Sequence, residues 1–358
     1  MLNLAIIGPG LVGSEFISQV LKSTTRTFRI IAVSNSKRMV LSQTTAPLTN
    51  SSWKTQLESP SATPTDLAKL AAHAASQQEP CVVVDCTSSD AVAECYPVWL
   101  RMGLHVITPN KKAFSGPLPL WDDIQKAAKE GKAHVFHEST VGAGLPILST
   151  LRDLIETGDD ITRIEGIFSG TLSYLFNNFS SPNPPTTPST FSQTVSTAKS
   201  LGYTEPDPRD DLNGMDVARK VVILGRCAGI PLDLTTLHVE NMVPEQLRNA
   251  PNADAFMQQL PEADAHFAKL NEDARKEQCV LRYVGCVDPN GQSSVKLAKY
   301  PLAHPFAALT GSDNVIAFTT RIFPSPLIVQ GAGAGAAVTA FGMFCDLLKI
   351  DRILSPHA

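Results

Sequence analysis

The sequence of 358 residues contains no run of about 18 apolar residues, the length a helix needs to cross a bilayer, so a membrane span is not expected. No basic region precedes its first apolar stretch, Leu4 to Ile7, and no small-residue cleavage motif follows it, so a secretory leader is not expected either. Paired metal-binding spacing is missing as well. The seven cysteines (Cys81, Cys86, Cys95, Cys227, Cys279, Cys286 and Cys345) are scattered and odd in number, and they read as reduced thiols. These absences make a cytoplasmic protein the expectation. Positive charge is not in excess: 30 Lys and Arg against 34 Asp and Glu give −4, which leaves no electrostatic reason to bind nucleic acid or an anionic membrane. There is no internal repeat. What remains is a globular composition, 43% hydrophobic and 18% charged, on a chain longer than one core usually organises, so two domains are expected.

The first third alternates short apolar runs with helical patterns. Leu4–Ile7 runs into Gly8-Pro9-Gly10-Leu11-Val12-Gly13, a helix is expected from Ser14 to Lys22, and a second strand at Arg29–Val33. Further strands are expected at Val82–Val84, Leu104–Ile107 and Ala133–Phe136, with a helix over Ala91–Arg101. This order predicts an α/β fold whose first domain is doubly wound and Rossmann-like. After Pro146 the pattern changes. Helices are expected at Ile147–Ile155, Leu172–Phe179, Ser192–Leu201 and Leu212–Gly225, and strands at Ile161–Ser169, Cys279–Val287, Ser294–Lys299 and Asn314–Thr320. Ser180–Thr190 is rich in Pro, Ser and Thr and reads as a loop. This part is expected to be an α+β domain with a mostly antiparallel or mixed sheet. Gly331 to Gly335 reads as a glycine turn opening an apolar helix, Ala336–Ile350, that returns to the first domain. The expected boundaries are 1–146, completed by 332–358, and 147–331.

Gly8-x-Gly10-x-x-Gly13 is weak as a bare motif, but here it follows a strand and opens a helix. That context brings backbone amides and a helix N-terminus up to a pyrophosphate. An NAD site usually carries Asp or Glu at the end of the second strand, to accept from the ribose 2′-hydroxyl. This chain has Ser34-Asn35-Ser36-Lys37-Arg38 there, which points to NADP(H) with NAD(H) as a substitute; the two cations also read as ordinary solvated charges.

Three polar clusters stand out. Thr108-Pro109-Asn110-Lys111-Lys112 follows a buried strand, where ligands of open α/β sheets bind, although lysines at such a place are often surface. His137 to Leu145 sets one carboxylate, Glu138, beside a glycine-rich turn. That is a shell for a monovalent cation, or equally a plain hinge between domains. Gly202 to Lys220 puts four carboxylates, Glu205, Asp207, Asp210 and Asp211, in a proline-stiffened loop ahead of an apolar helix, a way to present them to a ligand ammonium. Asp216 and Lys220 lie one turn apart on that helix and are expected to form a buried pair.

Together with Glu165 to Tyr174 and Thr108–Lys111, the Gly202–Lys220 stretch resembles homoserine dehydrogenase, over essentially the whole chain and in the short form without a fused aspartate kinase or a C-terminal regulatory module. The resemblance implies NAD(P)-dependent interconversion of aspartate semialdehyde and homoserine, a step in threonine, methionine and isoleucine biosynthesis. It also implies a homodimer whose second domain supplies substrate and dimer contacts. It assigns Glu205, Asp211, Asp216, Lys220 and Thr171 to the substrate. Lys220 and Lys111 are assigned to the reacting oxygen, with Lys220 favoured as proton donor, the reverse left open, and Asp216 holding Lys220 or substrate. Gly8, Gly10, Leu11, Val12 and Gly13 are assigned to the cofactor, Arg38 and Lys54 to its 2′-phosphate, Thr87 and Ser88 to the nicotinamide side, and Lys111 and Gly335 to cofactor contacts. Glu138, with the backbone of Val141, Ala143 and Leu145, matches the family's sodium site. Two departures are Cys86, where related enzymes often have Asn, and Pro9, where Ala is commoner.

Two other readings compete. Aspartate-semialdehyde dehydrogenase shares the metabolite but needs a nucleophilic cysteine, for which Cys86 is the one candidate at a strand end. A catalytically silent NADP(H) sensor on the same fold would have no need of carboxylates and lysines on the substrate side.

Overall fold

The structure, a computed structural model, describes residues 1–42 and 46–355, so the last three residues of the stretch expected to complete the first domain lie outside it. The chain divides into two compact units: Met1–Pro146 with the stretch from Ala334 onward, and Ile147–Gly333.

The first unit is built on seven strands: β1 (Leu2–Ile7), β2 (Phe28–Ser34), β3 (Arg38–Leu41), β4 (Thr63–Pro64), β5 (Cys81–Asp85), β6 (His105–Ile107) and β7 (Val135–Phe136). They are ordered β4-β3-β2-β1-β5-β6-β7. The run β2-β1-β5-β6-β7 is parallel, and β3 and β4 are added antiparallel. Every residue of β1 and β5 is buried, as befits parallel strands covered on both faces, and the apolar runs Leu4–Ile7 and Val82–Val84 within them are the sequence mark of that burial. Helix Leu11–Lys22 begins three residues earlier than expected, directly from Gly10. The expected helix over Ala91–Arg101 is two short ones, Asp90–Ala93 and Tyr96–Arg101. Pro97, near the start of the second, has no amide to donate to the carbonyl of Ala93, and the turn breaks there. Helix Ala336–Leu354 sends Ala340, Met343, Leu347 and Ile350 into the same core as Leu4, Phe16 and Val82.

The second unit carries β8 (Ile161–Ile167), β9 (His238–Val239), β10 (Cys279–Val287), β11 (Ser294–Pro301), β12 (Asp313–Thr320) and β13 (Leu327–Ala332) in the order β13-β12-β8-β10-β11-β9. Only β11–β9 is parallel, so the sheet is mixed. Gly331 and Ala332 belong to β13, so the expected glycine turn is shortened to Gly333–Gly335. β8 stops at Ile167 because Ser169 turns out to cap the next helix, Gly170–Phe179, its hydroxyl accepting from the amide of Leu172. Residues 181–189 form a loop closed by a capping box between Thr190 and Gln193 at the start of helix Phe191–Ser200.

The single helix expected over Leu212–Gly225 is also corrected. Helix Arg209–Leu212 ends, Gly214 turns left-handed at φ +77°, and helix Met215–Cys227 begins. A Cβ at Gly214 would run into the hydroxyl of Tyr283, so both the backbone angle and the space call for glycine. On β10 stands Arg282, fully buried, whose guanidinium donates to the carbonyls of Phe176, Ser180, Leu281, Phe306 and Ala307. Burial pushes its pKa down to about 10.

Candidate active site

In the first unit the glycine turn divides its labour. Gly8 sits at φ +80°, and a Cβ there would come within 2.6 Å of the Thr87 methyl. Gly13 packs so tightly that a Cβ would lie 2.5 Å from the carbonyl oxygen of Gly8. Nothing lies within 4 Å of a Cβ built on Gly10, so this backbone faces open space. The three positions thus serve as tight turn, close helix packing and ligand approach, the division expected of a pyrophosphate cradle. The helix that follows has no side-chain cap at Gly10, so its first amides remain available to an anion.

These residues open on a cleft of about 450 Å³ whose lining includes Gly8, Gly10, Ser14, Lys54 and Thr87. Leu11 is 86% exposed, whereas Val12 packs against the core and Gly13 is buried, so the last two reach a ligand through backbone alone. Lys54 is exposed and makes no ion pair or side-chain hydrogen bond among the described residues. Arg38 does not line the cleft. It sits on β3, and one guanidinium nitrogen donates to the carbonyls of Glu58 (3.1 Å) and Ser59 (3.3 Å), capping helix Trp53–Glu58. Asn35 accepts from the amides of Lys37 and Arg38, both at 2.8 Å, which fixes the turn after β2. No carboxylate stands at the end of β2, although Glu58 lines the cleft from the helix after β3. Helix Trp53–Glu58, which also lends Trp53 and Leu57 to the wall, was not legible in a Ser- and Thr-rich stretch without periodicity.

Thr87 and Ser88 follow β5, and Lys111 follows β6 at the head of helix Lys112–Ser115. Gly335, at φ +108°, precedes helix Ala336–Leu354, and nothing lies within 4 Å of a Cβ built on it. Burial, aided by the charge of Asp85, holds the Cys86 thiol well above its usual pKa, which disfavours the thiolate that a cysteine nucleophile needs.

Glu138 is buried. Its carboxylate accepts from Lys349 at 2.9 Å, and its amide donates to Asp346. Gly142 and Ala143 are left-handed, at φ +76° and +54°, and the chain there packs on the first turns of helix Ala336–Leu354, around Val338 and Gly342. No group of three His, Cys, Asp or Glu side chains suited to a metal exists among the described residues. One carboxylate already facing an ammonium, with the backbone carbonyls of Val141, Ala143 and Leu145 nearby in sequence, is a donor set for a weakly bound monovalent ion at most.

In the second unit the Gly202–Lys220 stretch comes together with Thr171. The Thr171 hydroxyl lies 2.6 Å from the Tyr203 carbonyl and 2.8 Å from Asp211 Oδ1, and the Glu205 amide donates to Asp211 Oδ2 at 2.8 Å. Burial raises the Asp211 pKa against the lowering pull of these two donors. The four carboxylates of the loop are not equivalent: Asp207 is bound by Arg209, Asp210 and Glu205 are exposed, and Asp211 is turned inward. Lys220 is buried, and its Nζ donates to the Phe168 carbonyl at 2.6 Å and to Asp216 at 2.7 Å. Asp216 has a side chain 46% exposed, so the expected buried pair is buried only at its lysine end. Asn314, fully buried on β12, donates to the same Phe168 carbonyl at 3.0 Å, while its own oxygen has no partner among the described residues. Neither Asn314 nor the Phe168 carbonyl was visible in sequence, because an Asn in a strand and a backbone oxygen carry no pattern.

Family models divide the chain between them: "Homoserine dehydrogenase, NAD binding domain" matches residues 8–138 and "Homoserine dehydrogenase" matches residues 146–348. The chain is 45% identical to a homoserine dehydrogenase of Saccharomyces cerevisiae, covering 99% of both. It is 49% identical to a chloroplastic bifunctional aspartokinase/homoserine dehydrogenase of Zea mays, covering 99% of this chain but 39% of that protein. Among solved structures, a Candida auris protein described as of unknown function superposes with a TM-score of 0.92 at 44% identity, covering 98% of each chain.

Proposed function

The chain belongs to the homoserine dehydrogenase family, and from that premise we propose that it interconverts L-aspartate 4-semialdehyde and L-homoserine with a nicotinamide dinucleotide. The observation that carries the reading is Lys220, a buried ammonium held by one carboxylate and one carbonyl close in sequence to Asp211 and Glu205. Such a group suits an oxygen that gains negative charge during reduction.

The dinucleotide, when bound, supplies or takes the hydride. The rest falls to this chain's residues. Residues 1–146, completed by the C-terminal stretch, act as the dinucleotide domain, and residues 147–331 as the substrate and dimerisation domain. Gly8, Gly10 and Gly13, with the amides of Leu11 and Val12, hold the pyrophosphate. Lys54 meets the 2′-phosphate, with Arg38, engaged at the end of helix Trp53–Glu58, adding its charge from outside the cleft; this favours NADP(H) over NAD(H), and Thr87, Ser88 and Gly335 border the cofactor further along. Glu205 and Asp211 bind the substrate ammonium, and Thr171 fixes Asp211 for that task. Lys220 donates the proton, Asp216 orients Lys220, and Lys111 adds electrostatic stabilisation. Glu138 with the carbonyls of Val141, Ala143 and Leu145 holds a sodium ion.

The protein acts as a cytoplasmic homodimer in this reading. Support comes from seven cysteines without a disulfide and from the edge strand β13, beside which Ile322, Phe323 and Ile328 are exposed. No helix among the described residues is long and apolar enough to cross a membrane.

The test is spectrophotometric. NADPH should be consumed when aspartate 4-semialdehyde is added, and formed from NADP⁺ and homoserine, without phosphate. No turnover in either direction, or turnover that requires phosphate, sinks the reading.

A further inference from the structure

The ends of β5 and β6 are tied together by a carboxylate with no cationic partner. Asp85 is fully buried, and no lysine, arginine or histidine pairs with it among the described residues. Its Oδ1 accepts from the Thr87 amide at 2.7 Å. Its Oδ2 accepts from the Tyr96 hydroxyl at 2.5 Å and from Asn110 Nδ2 at 3.0 Å. Asn110, itself buried, donates also to the Ser89 carbonyl at 3.0 Å and accepts from the Lys112 amide at 3.1 Å. Thr108 Oγ1 accepts from the Asn110 amide at 2.9 Å and lies 3.1 Å from the Tyr96 hydroxyl.

A buried carboxylate is costly unless its lone pairs are met, and an apolar residue at the end of β5 would avoid that cost. Here each lone pair in use is met by a donor, and two of the three donors come from turns that carry residues named above. One is the Thr87–Ser89 turn, whose Thr87 lines the dinucleotide cleft. The other is the Asn110–Lys112 turn, which carries Lys111 between two amides fixed by the network.

We propose that Asp85 is a positioning residue for the reaction: with Asn110 it locks the turn after β5 to the turn after β6, and so holds Lys111 and the Thr87 wall of the cleft in one geometry. This rests on the reading of Lys111 and the cleft given above. Misplacing a reactive group by about an ångström can lower a rate by about a hundredfold, so a modest slip of the turn is enough to be seen.

Two single variants and one exchange test it. Asp85→Asn keeps an oxygen for the Thr87 amide but turns an NH2 group toward that of Asn110. Asn110→Ala removes the arm to the second turn and leaves Asp85 with Thr87 and Tyr96. The double exchange, Asp85→Asn with Asn110→Asp, restores one donor facing one acceptor between the two turns, with their places reversed, but leaves the Ser89 carbonyl without its donor. Each single variant should lower kcat by at least about tenfold, and the dissociation constant for NADPH, read by nucleotide fluorescence, should rise by a smaller factor, because Thr87 is one of several residues lining the cleft. The exchange should recover part of the lost kcat, and the kcat loss of the single variants should exceed anything their melting curves account for, which a merely structural loss would not do.

If wild type turns over and both folded single variants stay within about twofold of its kcat, the positioning role is overturned while the enzymatic reading stands. If both single variants fail to fold, Asp85 is a stability element and the proposal is likewise overturned. If wild type shows no turnover at all, the enzymatic reading fails and takes this one with it.

Discussion

Replacing Lys220 by methionine removes the ammonium while leaving a side chain of similar length in the same buried place. Two groups lose a partner. Asp216 is nearly half exposed, so its carboxylate rehydrates at little cost. The Phe168 carbonyl keeps the Asn314 amide at 3.0 Å, so it is not stranded. Removing a buried ammonium also removes its desolvation penalty, and the carboxylate left behind is not a buried charge, which is what makes breaking a buried pair costly. The folded state should therefore change by no more than about 2 kcal/mol in either direction. The reaction should not be so tolerant. Loss of a general acid costs about a hundredfold to ten-thousandfold, so the barrier should rise by at least about 2.7 kcal/mol. The assay is steady-state oxidation of NADPH by aspartate 4-semialdehyde, paired with a melting curve and an NADPH dissociation constant for the same sample. Lys220→Ala should lose at least as much. A methionine variant that folds, binds NADPH and turns over within about threefold of wild type would remove Lys220 from the chemistry.

Three further outcomes are expected. Lys54→Ala should raise KM for NADPH by at least about fivefold and leave KM for NADH within about twofold, since only the former carries a 2′-phosphate; equal effects on both would dissociate Lys54 from that phosphate. Asp211→Asn should raise KM for the amino-acid substrate by about tenfold or more, with kcat less affected. Because burial raises the Asp211 pKa, wild-type KM should begin to climb, as pH falls, above the range where an ordinary aspartate titrates, and the Asn variant should lose that rise. His105 concerns stability. Burial, with a contribution from stacked His134, lowers its pKa from 6.5 to about 4, so the native state resists a proton that the unfolded chain accepts. Its contribution is present above pH 6.5 and is lost as pH falls toward 4, on the order of 3 kcal/mol in all. His105→Asn, whose side-chain oxygen can still accept from the His134 amide, should flatten that part of the stability curve as followed by urea denaturation at stepped pH.

How much of this was legible in the sequence depends on how local the cause is. The parallel strands announced themselves because β1 and β5 are buried on both faces and carry the apolar runs Leu4–Ile7 and Val82–Val84. The glycine turn was legible because the left-handed angle of Gly8 and the packing of Gly13 on the Gly8 carbonyl both arise within six residues. Elements set by distant partners were not. Helix Asp264–Lys276 is mostly polar, and of its buried residues, Phe267, Asn271 and Ala274, only two are apolar, so no apolar stripe marked it. Gly214 breaks a helix because Tyr283, far along the chain, fills the space beside it. Arg282 looks like a surface cation in sequence and is buried only because five carbonyls from separate segments converge on it. The same rule governs the site. Asp211, Lys220 and Lys111 stand in compact polar clusters and could be picked out. Asp85 is one acid at the end of an apolar strand, and its significance lies in Asn110 and Tyr96, which only the fold brings to it.

A crystal structure with NADP⁺ and homoserine bound would test the account most directly. The side-chain hydroxyl of homoserine should lie within about 3.2 Å of Lys220 Nζ, with its ammonium against Asp211 or Glu205. A hydroxyl beyond about 6 Å from both Lys220 and Lys111, in a complex competent for turnover, would contradict the assignment of the proton donor and of the centre built around it.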